Sequence, residues 1–164
     1  MTPSVSVLMG STSDETVMKM AIETLRGLAV ECEMRVLSAH RTPEETAAFV
    51  KDAGRRGVKA FICGAGGAAH LAGAVAAHTT RPVIGIPVVS GSLGGLDSLL
   101  STVQMPPGMP VATVAIGGAE NAGLLAAQMI GIADAEVAKR VEAERASRRK
   151  KVLDSDAEVR GAKG

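Results

Sequence analysis

Five short runs rich in β-branched residues alternate with stretches of helical period along these 164 residues, and no other feature limits the fold as tightly. Residues 4–9, 31–37, 58–63, 82–86 and 111–116 predict strands. Helices are predicted between them at residues 14–28, 43–56, 68–78 and 96–103, then at 119–132 and from 134 to about 151. Strand–helix alternation requires a mainly parallel sheet covered on both faces. The expected fold is one α/β domain over residues 1–164. It is a flavodoxin-like, doubly wound parallel sheet of about five strands in three α/β/α layers. Residues 133–164 form a C-terminal helix and tail, with the last dozen residues frayed.

Composition says what fills and what partners this fold. With no Trp or Tyr and 1% aromatics, the core is built from Ala, Val, Leu, Ile and Met, and 19 Gly let backbones approach closely. Scarce aromatic rings also leave no stacking platform for single-stranded nucleic acid. Charge is uneven: residues 1–138 hold nine Lys/Arg against twelve Asp/Glu, while 139–164 hold nine against five. Acidic residues interleave with that basic tail, which reads as a solvated helix rather than a nucleic-acid stripe. Cys32 and Cys63 stand far apart without metal-ligand spacing, so free thiols and a cytoplasmic setting are expected. The start of the chain shows neither a charged leader nor a long apolar run, and no membrane span is expected.

In doubly wound sheets, ligands bind at the carboxyl ends of the strands. After the first predicted strand comes Gly10-Ser11-Thr12-Ser13-Asp14. A tight turn, hydroxyls and free N–H groups at a helix N-terminus make an anion site there, and Asp14 can accept from ribose hydroxyls. The plain alternative is a helix cap supplied by Ser13 or Asp14. After the second strand comes Ser38-Ala39-His40-Arg41-Thr42-Pro43. Arg clamps phosphate bidentately, and His suits proton transfer near neutral pH. Pro43 fits the first helical turn, with Thr42 as N-cap and Glu45 completing a capping box.

Gly64-Ala65-Gly66-Gly67-Ala68-Ala69-His70 follows the third strand. Gly64, Gly66 and Ala69 match dinucleotide-loop spacing, but this is the wrong strand and no acid follows for a ribose. The segment reads instead as a loop stripped of side chains, so that a ligand meets backbone N–H groups. His70 is either a second polar group of that pocket or a satisfied helix residue. His78 suits a helix C-terminus. Residues 90–95, rich in Ser and Gly, form a candidate lid. Asp97 caps or enters a short helix, and Asn121 lies in the loop entering the fifth helix, near the same edge.

These strings together resemble the PurE family of N5-carboxyaminoimidazole ribonucleotide mutases. The resemblance is carried by Met9-Gly10-Ser11-x-Ser13-Asp14, Ser38-Ala39-His40-Arg41-Thr42-Pro43, Gly64-Ala65-Gly66-Gly67-Ala68-Ala69-His70-Leu71, Gly95-x-Asp97-Ser98-Leu99 and Val103-Gln104-Met105-Pro106. It spans most of residues 5–133. It implies an octamer of the doubly wound fold and no metal or cofactor. The implied reaction moves a carboxyl group from the exocyclic nitrogen to ring carbon C4 of an aminoimidazole ribonucleotide, a step of purine synthesis. His40 is the implied general acid/base. The implied substrate-binding set is Ser11, Ser13, Asp14, Ser38, Ala39, Arg41, Gly64, Ala65, Gly66, Gly67, His70 and Leu71. Ala72 stands where many relatives have Pro, and the 90–95 segment is unusually rich in Gly.

Three other readings stay open. One is the family's direct carboxylase class, which uses carbon dioxide. A more distant one is a PurE-like domain that carboxylates a nicotinic acid dinucleotide behind an extra N-terminal region. The third is a non-catalytic phosphoribosyl-binding module. Small residues at 119–132 also suggest close helix contacts between subunits.

Overall fold

A computed structural model describes residues 3–161. Its strands are β1 (Val5–Met9), β2 (Cys32–Val36), β3 (Ala60–Gly66), β4 (Val83–Val88) and β5 (Ala112–Thr113). They form one sheet in the order β2-β1-β3-β4-β5, with every pairing parallel. The helices are α1 (Glu15–Gly27), α2 (Pro43–Arg56), α3 (Leu71–Ala76), α4 (Leu96–Val103), α5 (Ala119–Gly131) and α6 (Ala135–Gly161). Among the described residues, no helix is long and apolar enough to cross a membrane.

The sheet separates two buried clusters. On one face Val5, Val7, Ile62, Ile84 and Ile86 pack under Met18, Ala21 and Leu25 of α1 and Ala122, Ala126 and Ile130 of α5. On the other, Leu8, Phe61, Cys63 and Val83 meet Phe49 and Val50 of α2 and Leu71 and Val75 of α3. Alternate residues of a strand point to opposite faces, so strands buried on both faces read as unbroken apolar runs. Burial pushes the Cys63 thiol far up, which leaves it inert packing.

The small residues of α5 are used within the chain. A Cβ on Gly123 would stand 3.0 Å from the Ala21 carbonyl and 2.9 Å from Thr24 Cβ, so only glycine lets α5 lie this close to α1. The glycine at 123 is thereby accounted for by packing within the chain.

Several boundaries differ from expectation. β3 runs through Gly66, and α3 begins only at Leu71, because backbone pairing with β4 carries low-propensity glycines along. β5 shrinks to two residues at the sheet edge. α6 continues to Gly161 instead of fraying near Lys151. Lys150–Asp154 and Arg160–Asp156 pairs at i,i+4 sustain that last stretch.

The cap expected at Thr42 is absent. Thr42 Oγ1 accepts from Ser38 N at 2.8 Å and lies 3.1 Å from Ser38 O, so it closes the loop instead of capping α2. Ser11, rather than Ser13 or Asp14, supplies the cap after β1. Its oxygen accepts from Ser13 N at the start of a 3-10 turn, Thr12–Asp14, that leads into α1.

Candidate active site

The chain moves outward from β1 in both directions, so the loops after β1 and β3 part at the switch point and leave a crevice. A cavity of about 340 Å³ lies there, lined from four strand ends. The β1 end supplies Gly10, Ser11, Ser13 and Asp14, and the β2 end Ser38, Ala39, His40 and Arg41. The β3 end supplies Ala65, Gly66, Ala68, His70 and Leu71, and the β4 end Ser90. Gly10, Ala68 and Ser90 stand outside the implied substrate-binding set; Gly10 and Ala68 belong to the two ligand loops read from the sequence, and Ser90 to the candidate lid.

Gly64 and Gly67 are absent from this lining. A Cβ on Gly64 would fall 2.2 Å from Met18 Sδ, so its bareness admits a core methionine. Gly67 has φ +60°, a turn conformation that favours glycine. Asn121 sits inside α5 and faces a groove against α6 with Gln128 and Val141, away from the cavity. His78 lies beyond the end of α3, on the amino edge of the sheet.

Each reactive side chain is held by its loop. Residues 38–42 fold back on themselves: Thr42 N donates to Ser38 O at 2.9 Å and Arg41 N to Ser38 Oγ at 3.2 Å. Arg41 then reaches across to the β1 loop, where Nη2 donates to Gly10 O at 2.9 Å. Its guanidinium thereby stands beside the turn that carries Ser11 and Ser13. The N-terminus of α1 points into the same corner, so donors and positive charge converge there on an anion.

Asp14 is buried in that corner and accepts from Ser13 Oγ at 3.1 Å. Burial pushes its carboxyl above the ordinary aspartate range, and the Ser13 bond only partly opposes this.

His40 and His70 meet from different loops. His40 Nε2 lies 2.8 Å from His70 Nδ1, with the rings edge to face at 80°. One nitrogen must donate and the other accept, so only one proton fits between them. His70 thus lines the cavity at the N-cap of α3, with its ring paired to His40. The arrangement offers an anion corner and an exposed, hydrogen-bonded imidazole pair within one cavity. That suits a phosphorylated ligand undergoing proton transfer.

The sequence model of one family, described as AIR carboxylase, matches residues 4–151. A Mycobacterium tuberculosis protein is 56% identical over 141 residues, 86% of this chain and 81% of its own length. A Bacillus subtilis protein is 52% identical over 157 residues, covering 94% of this chain and 97% of its own. A Saccharolobus solfataricus protein is 54% identical over 140 residues, 85% of this chain and 89% of its own. Each of the three is named N5-carboxyaminoimidazole ribonucleotide mutase. Among solved structures, Treponema denticola PurE superposes with TM-score 0.88 at 31% identity, over 95% of this chain and 98% of that one.

Proposed function

The chain belongs to the AIR carboxylase family, and from that premise we propose that it is an N5-carboxyaminoimidazole ribonucleotide mutase. Relatives of that name at 50–56% identity support this activity. The product is 4-carboxy-5-aminoimidazole ribonucleotide. The observation that carries the chemistry is the His40–His70 contact of 2.8 Å beside a corner built for phosphate.

In this mechanism Ser11, Ser13 and Arg41 bind the phosphate, and Asp14 accepts from a ribose hydroxyl. Ser38, Ala39, Ala65, Gly66 and Leu71 enclose the aminoimidazole, with Gly64 and Gly67 shaping the wall from behind. The substrate carries a carbamate on its exocyclic nitrogen. His40 donates a proton to that nitrogen as the N–C bond breaks, which releases carbon dioxide inside the cavity. The ring carbon attacks the trapped carbon dioxide, and His40 then removes the proton from that carbon. One proton leaves and returns, so a single imidazole suffices.

The His40 Nε2–His70 Nδ1 bond couples the tautomers of the two rings, because one nitrogen donates and the other accepts. Holding both fragments together supplies the proximity that a bimolecular recombination lacks. We place this chemistry in the cytoplasm, where free Cys32 and Cys63 persist.

The family's designation as AIR carboxylase favours one second reading, direct carboxylation of the aminoimidazole by carbon dioxide. An ultraviolet assay with two feeds separates them. One feed is the N5-carboxylated nucleotide, made in situ by its synthetase. The other is the uncarboxylated nucleotide with bicarbonate and no ATP. Fast product only from the first establishes the mutase, fast product from the second establishes the carboxylase, and silence in both leaves a binding module.

A homo-octamer is part of the same proposal, by family resemblance. Exposed Leu93, Leu96, Leu100 and Val103 on and beside α4 support buried subunit surface there. Sedimentation showing a stable monomer would refute it.

A further inference from the structure

The β4 end gives the cavity a single residue, Ser90. Its backbone is extended (φ −147°, ψ 141°) at the N-cap position of a 3-10 turn, Gly91–Leu93, yet its hydroxyl makes no capping bond. Ser11 holds the same position before its own turn and uses its oxygen on Ser13 N. The Ser90 hydroxyl has no such internal duty.

The side chain lies flat on the end of β3. A Cβ on Gly66 would come 2.6 Å from Ser90 Oγ and 2.8 Å from Ser90 Cβ. Gly66 is therefore bare to seat Ser90 against the cavity wall. The loop ends are fixed as well. The buried Ser98 hydroxyl lies 2.9 Å from both the Val88 and Gly95 carbonyls, joining the two stems of residues 89–94. Ser90, two residues past the Val88 stem, is held in place before any ligand arrives.

The order β2-β1-β3-β4 sets Arg41 and Ser90 at opposite ends of the cavity, with Gly66 and His70 between them. A ligand whose phosphate lies at Arg41 presents its far end to Ser90. Resting on the mutase reading, we propose that Ser90 is a substrate-contacting residue whose hydroxyl donates to the carboxyl group in transit. It orients the carbamate and product carboxylates and limits escape of the released carbon dioxide.

The test uses nucleotide labelled with ¹⁴C in its N5-carboxylate. It follows both kcat/KM and the share of label lost to solvent as carbon dioxide. Ser90→Ala is expected to lower kcat/KM about tenfold, the loss of one hydrogen bond to a charged oxygen. It should also raise label loss severalfold, a change that mere loosening of a distant loop would not give. Ser90→Thr keeps the hydroxyl and should retain label nearly as the wild type does. Wild-type kcat/KM and label retention in Ser90→Ala would overturn the proposal, as would a Thr variant as leaky as Ala. A wild-type protein that forms no product overturns both readings, whereas an active wild type with an indifferent Ser90→Ala overturns this one alone.

Discussion

Both edges of the sheet carry a basic hollow, and the larger one is not where the chemistry converges. At the amino edge, Lys51, Arg55, His78 and Arg81 line about 1000 Å³, against about 340 Å³ at the carboxyl edge. Helix direction gives the two sets of cations different meanings. The amino edge receives the C-termini of α2 and α3, whose unpaired carbonyls carry partial negative charge, so basic side chains there neutralise the fold itself. The carboxyl edge receives helix N-termini, so Arg41 adds to a positive field and needs a ligand to complete it. Sign and convergence of the local field, rather than volume or basic count, mark the site.

The widest separation between the edges is expected at His40. His40→Asn lowers turnover ~10²–10⁴-fold with nucleotide binding retained, measured by steady-state assay beside calorimetric titration. A variant with wild-type turnover would erase the distinction. Next, Arg41→Ala weakens binding of the phosphorylated ligand about 10–100-fold, mainly through KM; unchanged affinity would move the anion corner elsewhere.

Asp14→Asn sharpens the comparison by trading function for stability. Because burial raises the Asp14 carboxyl, the folded protein holds that proton more tightly than the unfolded chain. Stability therefore falls as pH rises from the ordinary aspartate value through the raised one, and stays lower above it. The Asn variant should melt higher than wild type at neutral pH and bind the nucleotide about tenfold more weakly. Melting curves across pH 3–8 check the first part.

The smallest effect lies at the amino edge. α1 ends with Ala29 at φ +52°, Ala29 N donating to Arg26 O and Val30 N to Leu25 O, while the equivalent end of α2 uses Gly57 at φ +96°. Ala29→Gly should stabilise by about 1 kcal/mol in urea unfolding with turnover unchanged. A change in turnover would mean that the edges are coupled.

The strands and the parallel arrangement were legible because fully buried strands leave unbroken apolar runs, as Ala60 to Cys63 does. Glycine-rich ends were not, since Gly64 to Gly66 join β3 through pairing with β4 rather than through propensity. The individual site residues were legible from their places after strand ends. Their mutual geometry was not: nothing in the order of residues says that His70 Nδ1 points at His40, or that Gly64 is bare for Met18 and Gly66 for Ser90. Thr42 shows the same limit, because its hydroxyl had two backbone uses within reach and the loop took it.

The imidazole pair joins residues 30 apart in sequence, on loops after β2 and β3, and β1 runs between those strands. No hairpin or single βα unit can assemble it; three strands must be in register first. Such a contact closes late in folding, after local helices have formed. During refolding from denaturant, helical circular dichroism should return ahead of turnover. The interval between them is a clock for the last step, in which the central strands lock and the two loops come within reach of one another.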